Sequence, residues 1–466
     1  MDEIIAAVRS GALAVEDLDI CAGRVLEYVL KTPHFRKYPY SDAPSLEQNA
    51  RVSASAASDG IVLLKNEDGA LPLAEGANVS LLGVNAYDGI VAGIGAGFVN
   101  SSYKVNLDEG LRAAGFELNP KTDAVYRRYM DYSEALLGEE NSRKHLGDRT
   151  FPAEAFLSDA FLGMRAADSD IAVISFGRLS GEYNDRYTRD FYLHEDELDL
   201  LRRTCAAFHS RGRKVVVVLN VCGVVETASW KDLPDAILVN WLPGQELGNA
   251  TAAVLSAQVN PSGRLPMTFP LDYRDHLSSE NYPFDYTSKR SDWEYDAPER
   301  KIRNLGWTEY LEGVDVGYRY FCTKAPEKIS FPFGFGLSYT SFEWSDAALT
   351  RKGNDFRVTL RVTNTGDRPG RDVVQLYASA PESELYKPVR ELKAFAKTPV
   401  LSPGSSATLE LTFSAYDLAS FDESLSAFVS QEGTYSIQLN RDASTIVTTL
   451  PLNMKKALRW PVTQAE

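Results

Sequence analysis

Two hydrophobic rhythms divide the chain. Apolar runs alternate with amphipathic stretches over roughly the first two thirds, and a strict every-second-residue alternation takes over near the end. At the front, Ile4, Ile5 and Val8, then Leu18, Val25, Leu26 and Val29, recur at helical spacing. They predict helices over 2–10 and 15–32, separated at Gly11 and ended by Pro33. So short a pair cannot bury both faces by itself. From about residue 50 the texture is alternating β and α. A helix within 52–65 runs into Ile61-Val62-Leu63-Leu64, Val79–Gly83 is a strand, and a glycine-rich stretch from Gly89 to Gly97 leads to a helix near 106–114. Asp170–Phe176, Lys214–Asn220 and Ala236–Leu242 are strands, the last two continuous apolar runs of the kind buried on both faces. Helices are expected over Glu195–His209 and Gln245–Ser256, and the charged stretch 125–165 reads as a helical insertion. Together these predict a mainly parallel sheet covered by helices, an α/β sandwich. A long aperiodic stretch follows Pro270 to about 310. After Phe342 the pattern is all-β: 356–362, 373–377, 407–413 and 434–439 are strands, with Gly/Pro turns, and predict a β-sandwich.

Length and charge narrow the function. A chain of 466 residues is enough for two or three domains. Its net charge of −15 argues against nucleic acid or an anionic membrane as partner and suits a small neutral ligand. The four cysteines show no metal or redox spacing, Cys205 and Cys222 reading as small hydrophobes in apolar elements, and the five scattered histidines propose no metal site. No cofactor is called for. No apolar run reaches the ~18 residues of a membrane span. The first residues read as an amphipathic helix and not as a signal peptide, so the chain as written is expected to be cytoplasmic.

Candidate chemistry concentrates at Ser180-Gly181-Glu182-Tyr183-Asn184-Asp185-Arg186, directly after the strand ending near Phe176. Loops at the C-terminal ends of parallel strands are where α/β folds bind ligands. Glu182 there can donate a proton to a leaving group, with Arg186 within reach to orient or polarise its neighbours; the competing reading is an exposed turn acid. The glycines at 93, 95 and 97 fit neither G-x-G-x-x-G nor a P-loop, and predict a tight loop approaching a ligand or another domain. Asp292, in Ser291-Asp292-Trp293, has polar flanks and reads as a turn-capping residue, its alternative being a nucleophile.

Several motifs, taken in order along nearly the whole chain, resemble glycoside hydrolase family 3. They are Ile61–Asn66 with Leu71-Pro72-Leu73, Ser180-Gly181-Glu182 with Asp185-Arg186, Phe191-Tyr192-Leu193, Leu242–Glu246, Asn260–Pro266, Glu312–Tyr320 and Phe331–Tyr339. Val362–Gly366 through Val374–Tyr377 is similar to that family's fibronectin type III-like domain. The resemblance implies residues 1–40 as a remnant of the last helices of a (β/α)8 barrel with its linker. It implies 41–340 as the α/β sandwich carrying the acid/base loop, 341–456 as the fibronectin type III-like sandwich and 457–466 as a tail. It further implies a metal-independent retaining exo-glycosidase of the β-glucosidase type, with Glu182 as acid/base and an aspartate nucleophile on the barrel. Two departures stand out: Tyr183 where members have glycine, reshaping the leaving-group side, and Ala96 where a serine is often found.

Most of the barrel has no counterpart in these residues, and retention needs a second carboxyl group roughly 5–5.5 Å away across the sugar. The expectation is therefore a truncated or two-piece β-glucosidase, inactive or weakly active alone. Its partners would be a β-glucoside or oligosaccharide and a barrel supplied in the missing part or by another chain. The alternatives are a non-catalytic carbohydrate-binding or assembly module and, less favoured by its flanks, a substitute nucleophile at Asp292.

Overall fold

A computed structural model describes residues 2–144, 149–182, 186–280, 311–383 and 385–462. The chain divides into two compact units, 1–49 and 50–466. In the first, α1 (Asp2–Ser10) and α2 (Val15–Lys31) agree with the helical spacing, and neither has a buried residue. Thr32 is extended at ψ 147°, as the residue before a proline must be, and its N–H and hydroxyl both bond the Val29 carbonyl.

α3 (Leu46–Gly60) begins in the last residues of the first unit and, in the second, stops just short of β1 (Val62–Asn66), so the predicted helix gives way to a strand where the sequence turns to Ile61-Val62-Leu63-Leu64. β2 (Asn78–Leu82), α4 (Val84–Tyr87), α5 (Leu107–Ala113), β3 (Glu117–Leu118), α6 (Pro120–Ser142), α7 (Asp159–Asp168) and β4 (Ile171–Arg178) follow. Next come α8 (Glu195–His209), β5 (Lys214–Val221), β6 (Ala236–Val239) and α9 (Leu247–Leu255). The six strands form one sheet in the order β1-β6-β5-β4-β2-β3, parallel except for β1 at its edge. Val215 to Leu219 of β5 are wholly buried, the reason that run of five is apolar throughout. The stretch 125–165 is not an insertion: α6 packs on β2, with Tyr126 fully buried and stacked on Tyr87, and α7 packs on α8. Charge on the outer face of α6 concealed this inner face.

A two-stranded ribbon of β7 (Phe269–Pro270) and β8 (Ile329–Phe331), with α10 (Tyr318–Lys324) before β8, leads to the all-β part. There β9 (Phe342–Lys352), β10 (Asp355–Asn364) and β13 (Ser406–Ser414) make one sheet. β11 (Val373–Ser379), β12 (Glu391–Lys397), β16 (Gly433–Asn440) and β17 (Ile446–Met454) make its partner, over a core of residues such as Phe356, Val358, Leu376 and Ile437. β14 (Ser420–Asp422), β15 (Ala427–Ser430) and β18 (Leu458–Pro461) form a third sheet. The expected tail thus contains a strand, held where Trp460 lies opposite Phe428 and packs on Tyr416. The α/β and all-β parts are tied by buried polar contacts: Arg264 bonds Asp372 at 2.9 Å, and Gln375 bonds the Gly334 carbonyl at 3.0 Å. Among the described residues no helix is long and apolar enough to cross a membrane.

Candidate active site

In the sheet order, β2 leads outward to β3 on one side while β4, β5 and β6 follow on the other. The strand order therefore reverses between β2 and β4, the switch point beside which open α/β sheets bind ligands. The loop after β2 is the glycine-rich one; the loop after β4 carries Glu182.

These two loops lie backbone against backbone. Ile94 and Gly181 form a parallel bridge, with Ile94 N–H donating to the Ser180 carbonyl at 3.4 Å and Glu182 N–H to the Ile94 carbonyl at 3.3 Å. The Ala96 N–H then donates to Oε2 of Glu182 at 2.6 Å. Such contact leaves no room for side chains. A Cβ on Gly181 would lie 2.5 Å from the Ile94 carbonyl oxygen, and one on Gly95, whose φ is +69°, would lie 2.3 Å from Cβ of Glu182. The glycine loop approaches the candidate acid itself. Glu182 remains exposed at the switch point, and its bond comes from a main-chain N–H, which the side chain at 96 does not alter.

Arg186 does something other than expected. Its guanidinium donates to the carbonyls of Val224, at 2.7 Å, and Asp190, so it ties its own loop to the segment after β5 and does not polarise the carboxylate. Burial holds its pKa below the ordinary guanidinium value. Arg178, at the end of β4, was not singled out by the sequence. It is buried and grips Glu197 of α8 through two bonds of 2.7 and 2.6 Å, and also donates to the carbonyls of Asp190 and Tyr192. It anchors the far side of the Glu182 loop as the glycines anchor the near side. An arginine closing an apolar strand seven residues before Asp185-Arg186 was the available signal.

Other charges brace the glycine loop. Burial pushes the Asp88 carboxyl up, but Arg149 and Lys104, each 2.6 Å away, outweigh it and hold it below its ordinary value. Glu154 accepts from the Val84 N–H at 2.7 Å behind this loop; burial, with Glu197 and Asp196 nearby, pushes it up to about 8. Burial raises the thiols of Cys205, to about 12, and Cys222, in keeping with inert apolar settings. Among the described residues no cluster of His, Cys, Asp or Glu could hold a metal ion. Tyr183, Asn184, Asp185 and Asp292 lie outside the described residues.

A family model for the glycosyl hydrolase family 3 C-terminal domain matches residues 61–339, and one for a fibronectin type III-like domain matches 372–443. The chain belongs to glycosyl hydrolase family 3. It is 33% identical to a β-glucosidase of Ruminococcus albus over 412 residues, 85% of this chain and 39% of that protein. It is likewise 33% identical to β-glucosidase A of Butyrivibrio fibrisolvens, over 81% of this chain and 47% of that one. Among solved structures, β-glucosidase 3B from Thermotoga neapolitana in complex with α-D-glucose aligns with a TM-score of 0.86 at 36% identity, covering 99% of this chain and 62% of that chain. This family 3 chain therefore spans less than half of those two curated relatives, and Glu182 with its glycine loop lies within the residues that match the C-terminal domain model.

Proposed function

We propose that this chain is the acid/base half of a retaining exo-glycosidase of the β-glucosidase type, hydrolysing terminal β-D-glucosyl or related residues. The observation carrying the proposal is the seat of Glu182. It is an exposed carboxyl group at the sheet's switch point, one oxygen fixed by the Ala96 N–H at 2.6 Å, on a loop locked by three close-approach glycines, Gly93, Gly95 and Gly181. With Oε2 held, Oε1 is left to carry the proton to the glycosidic oxygen. General-acid assistance of this kind contributes about 10²–10⁴-fold. The same carboxylate, once deprotonated, then draws a proton from the water that releases the sugar. The nucleophile comes from outside these residues, on a (β/α)8 barrel in the same polypeptide or in a partner, about 5–5.5 Å across the sugar from Glu182. Similarity to β-glucosidases from several organisms supports the substrate class.

Mixing the chain with a separately produced family 3 barrel and assaying aryl β-glucosides tests this. Turnover is expected only in the mixture. Glu182→Gln should lower kcat/KM for poor leaving groups by about 10²–10⁴-fold while sparing kcat/KM for dinitrophenyl glucosides, whose departure needs no proton; kcat on the latter falls because release of the sugar loses its base. Equal loss across leaving groups would remove Glu182 from the acid role. Binding of glucose or cellobiose to the chain alone, with no turnover on adding a barrel, would favour a carbohydrate-binding module instead.

A further inference from the structure

The loop bearing Ala96 is held by a side chain from another strand. Asn220, near the end of β5, is completely buried. Its Oδ1 accepts the Ile90 N–H at 2.7 Å and its Nδ2 donates to the Ile90 carbonyl at 2.9 Å, so the amide grips both main-chain groups of one residue as a neighbouring strand would. The same Nδ2 donates to the Trp241 carbonyl at 2.5 Å, beyond β6. Oδ1 also accepts Nδ2 of Asn85 at 3.1 Å, and Asn85 Oδ1 accepts the Ser175 hydroxyl of β4 at 2.7 Å. Both donors and both lone pairs of the Asn220 amide are thereby engaged, which fixes its orientation. Gly177 belongs to the same arrangement, since a Cβ there would lie 2.4 Å from Asn85 Nδ2.

Beyond Ile90, the Val91 carbonyl accepts the Gly244 N–H at 2.9 Å, Ile94 bridges to Gly181, and Ala96 reaches Glu182. The path from the clamp to the carboxylate is six residues of loop joined to the sheet by main-chain bonds. A buried, fully satisfied amide is stiff, because releasing any one partner strands a polar group away from water. We propose that Asn220 is a positioning residue for Glu182: by clamping Ile90 it fixes the loop 90–96 against the ends of β4, β5 and β6, and through Ala96 it fixes the acid's orientation. The assignment rests on the acid/base reading of Glu182, but the clamp can be tested apart from it.

In the 466-residue chain alone, hydrogen exchange of peptides covering 88–98 reads the clamp. Asn220→Asp keeps the acceptor and the shape but loses the amide donors; Asn220→Ser is a neutral variant too short to reach Ile90. Val216→Ala, in the same strand and equally buried, is the control for general destabilisation. The asparagine variants should speed exchange in 88–98 at least about tenfold relative to the β5 peptide, as a local opening does, and Val216→Ala should not. Exchange at the wild-type rate in both asparagine variants would overturn the clamp.

In the barrel-complemented enzyme, the asparagine variants should lower kcat/KM for an unactivated glucoside by about 10²-fold, as expected for a misplacement near 1 Å. For dinitrophenyl glucoside kcat/KM should stay within about threefold, because that leaving group needs no proton. A ratio of the two rates equal to that of Val216→Ala would overturn the positioning role. Glu182→Gln measured alongside separates the two ideas. If it too lacks leaving-group dependence, the acid/base reading falls while the exchange result still decides the clamp.

Discussion

Gly181→Ala is a perturbation whose size can be worked from the geometry. The new Cβ would sit 2.5 Å from the carbonyl oxygen of Ile94, 2.6 Å from its nitrogen and 2.8 Å from its Cγ1. Ordinary contact begins near 3.4 Å, so the two loops must part by about 0.9 Å, and the obstructing atoms are mainly backbone that cannot swing aside. The bridge has little slack. Its bonds, Ile94 N–H to Ser180 and Glu182 N–H to Ile94, already measure 3.4 and 3.3 Å, so both break, at about 0.5–1.5 kcal/mol each. The 2.6 Å bond from Ala96 to the carboxylate stretches or breaks with them. Urea unfolding of the isolated chain should therefore show a loss of about 1–3 kcal/mol, and the barrel-complemented enzyme should lose about 10²-fold on an unactivated aryl glucoside. Gly97→Ala, in the same loop but with nothing within 4 Å of its Cβ position, is the matched control and should change neither. If the two alanine variants unfold at the same urea concentration and show the same leaving-group profile, the close-approach account of these glycines is wrong.

Two further outcomes follow from buried charges. Arg178→Ala leaves Glu197 without its partner in a site closed to water, and should cost about 3–5 kcal/mol by urea unfolding; a loss under 1 kcal/mol would show that the pair is not an anchor. Glu154, pushed up to about 8, holds its proton in the folded chain long after the unfolded chain has released it. Its contribution is fully present below the ordinary carboxylate range near pH 4.5 and is lost as pH rises toward 8, with a slope of at most about 1.4 kcal/mol per pH unit. Stability measured between pH 5 and 8 should therefore fall less steeply in Glu154→Gln than in the wild type, and parallel curves would refute the assignment.

Local pattern was enough for the elements themselves. Helical spacing of Ile4, Ile5 and Val8 and the proline after Thr32 placed α1 and α2, and the unbroken valines of 215–218 announced a strand buried on both faces, because burial dictates composition directly. Glu182 was legible too, as a carboxylate after a strand end. Its supports were not. Arg178, Asn220 and Glu154 look like isolated polar residues in the sequence, and they acquire partners only when β2, β4 and β5 come together from stretches up to 135 positions apart, as Asn85 and Asn220 do. Arg186 was misread for the same reason: adjacency along the chain suggested Glu182 as its neighbour, whereas folding turned its guanidinium to the carbonyls of Val224 and Asp190. The sequence by itself determined which residues seek burial and which loop bears the carboxylate Glu182, since those follow from local chemistry. Only the tertiary structure decided what holds that carboxylate in place, because hydrogen bonds and steric contact act over a few ångströms between segments whose separation along the chain is arbitrary.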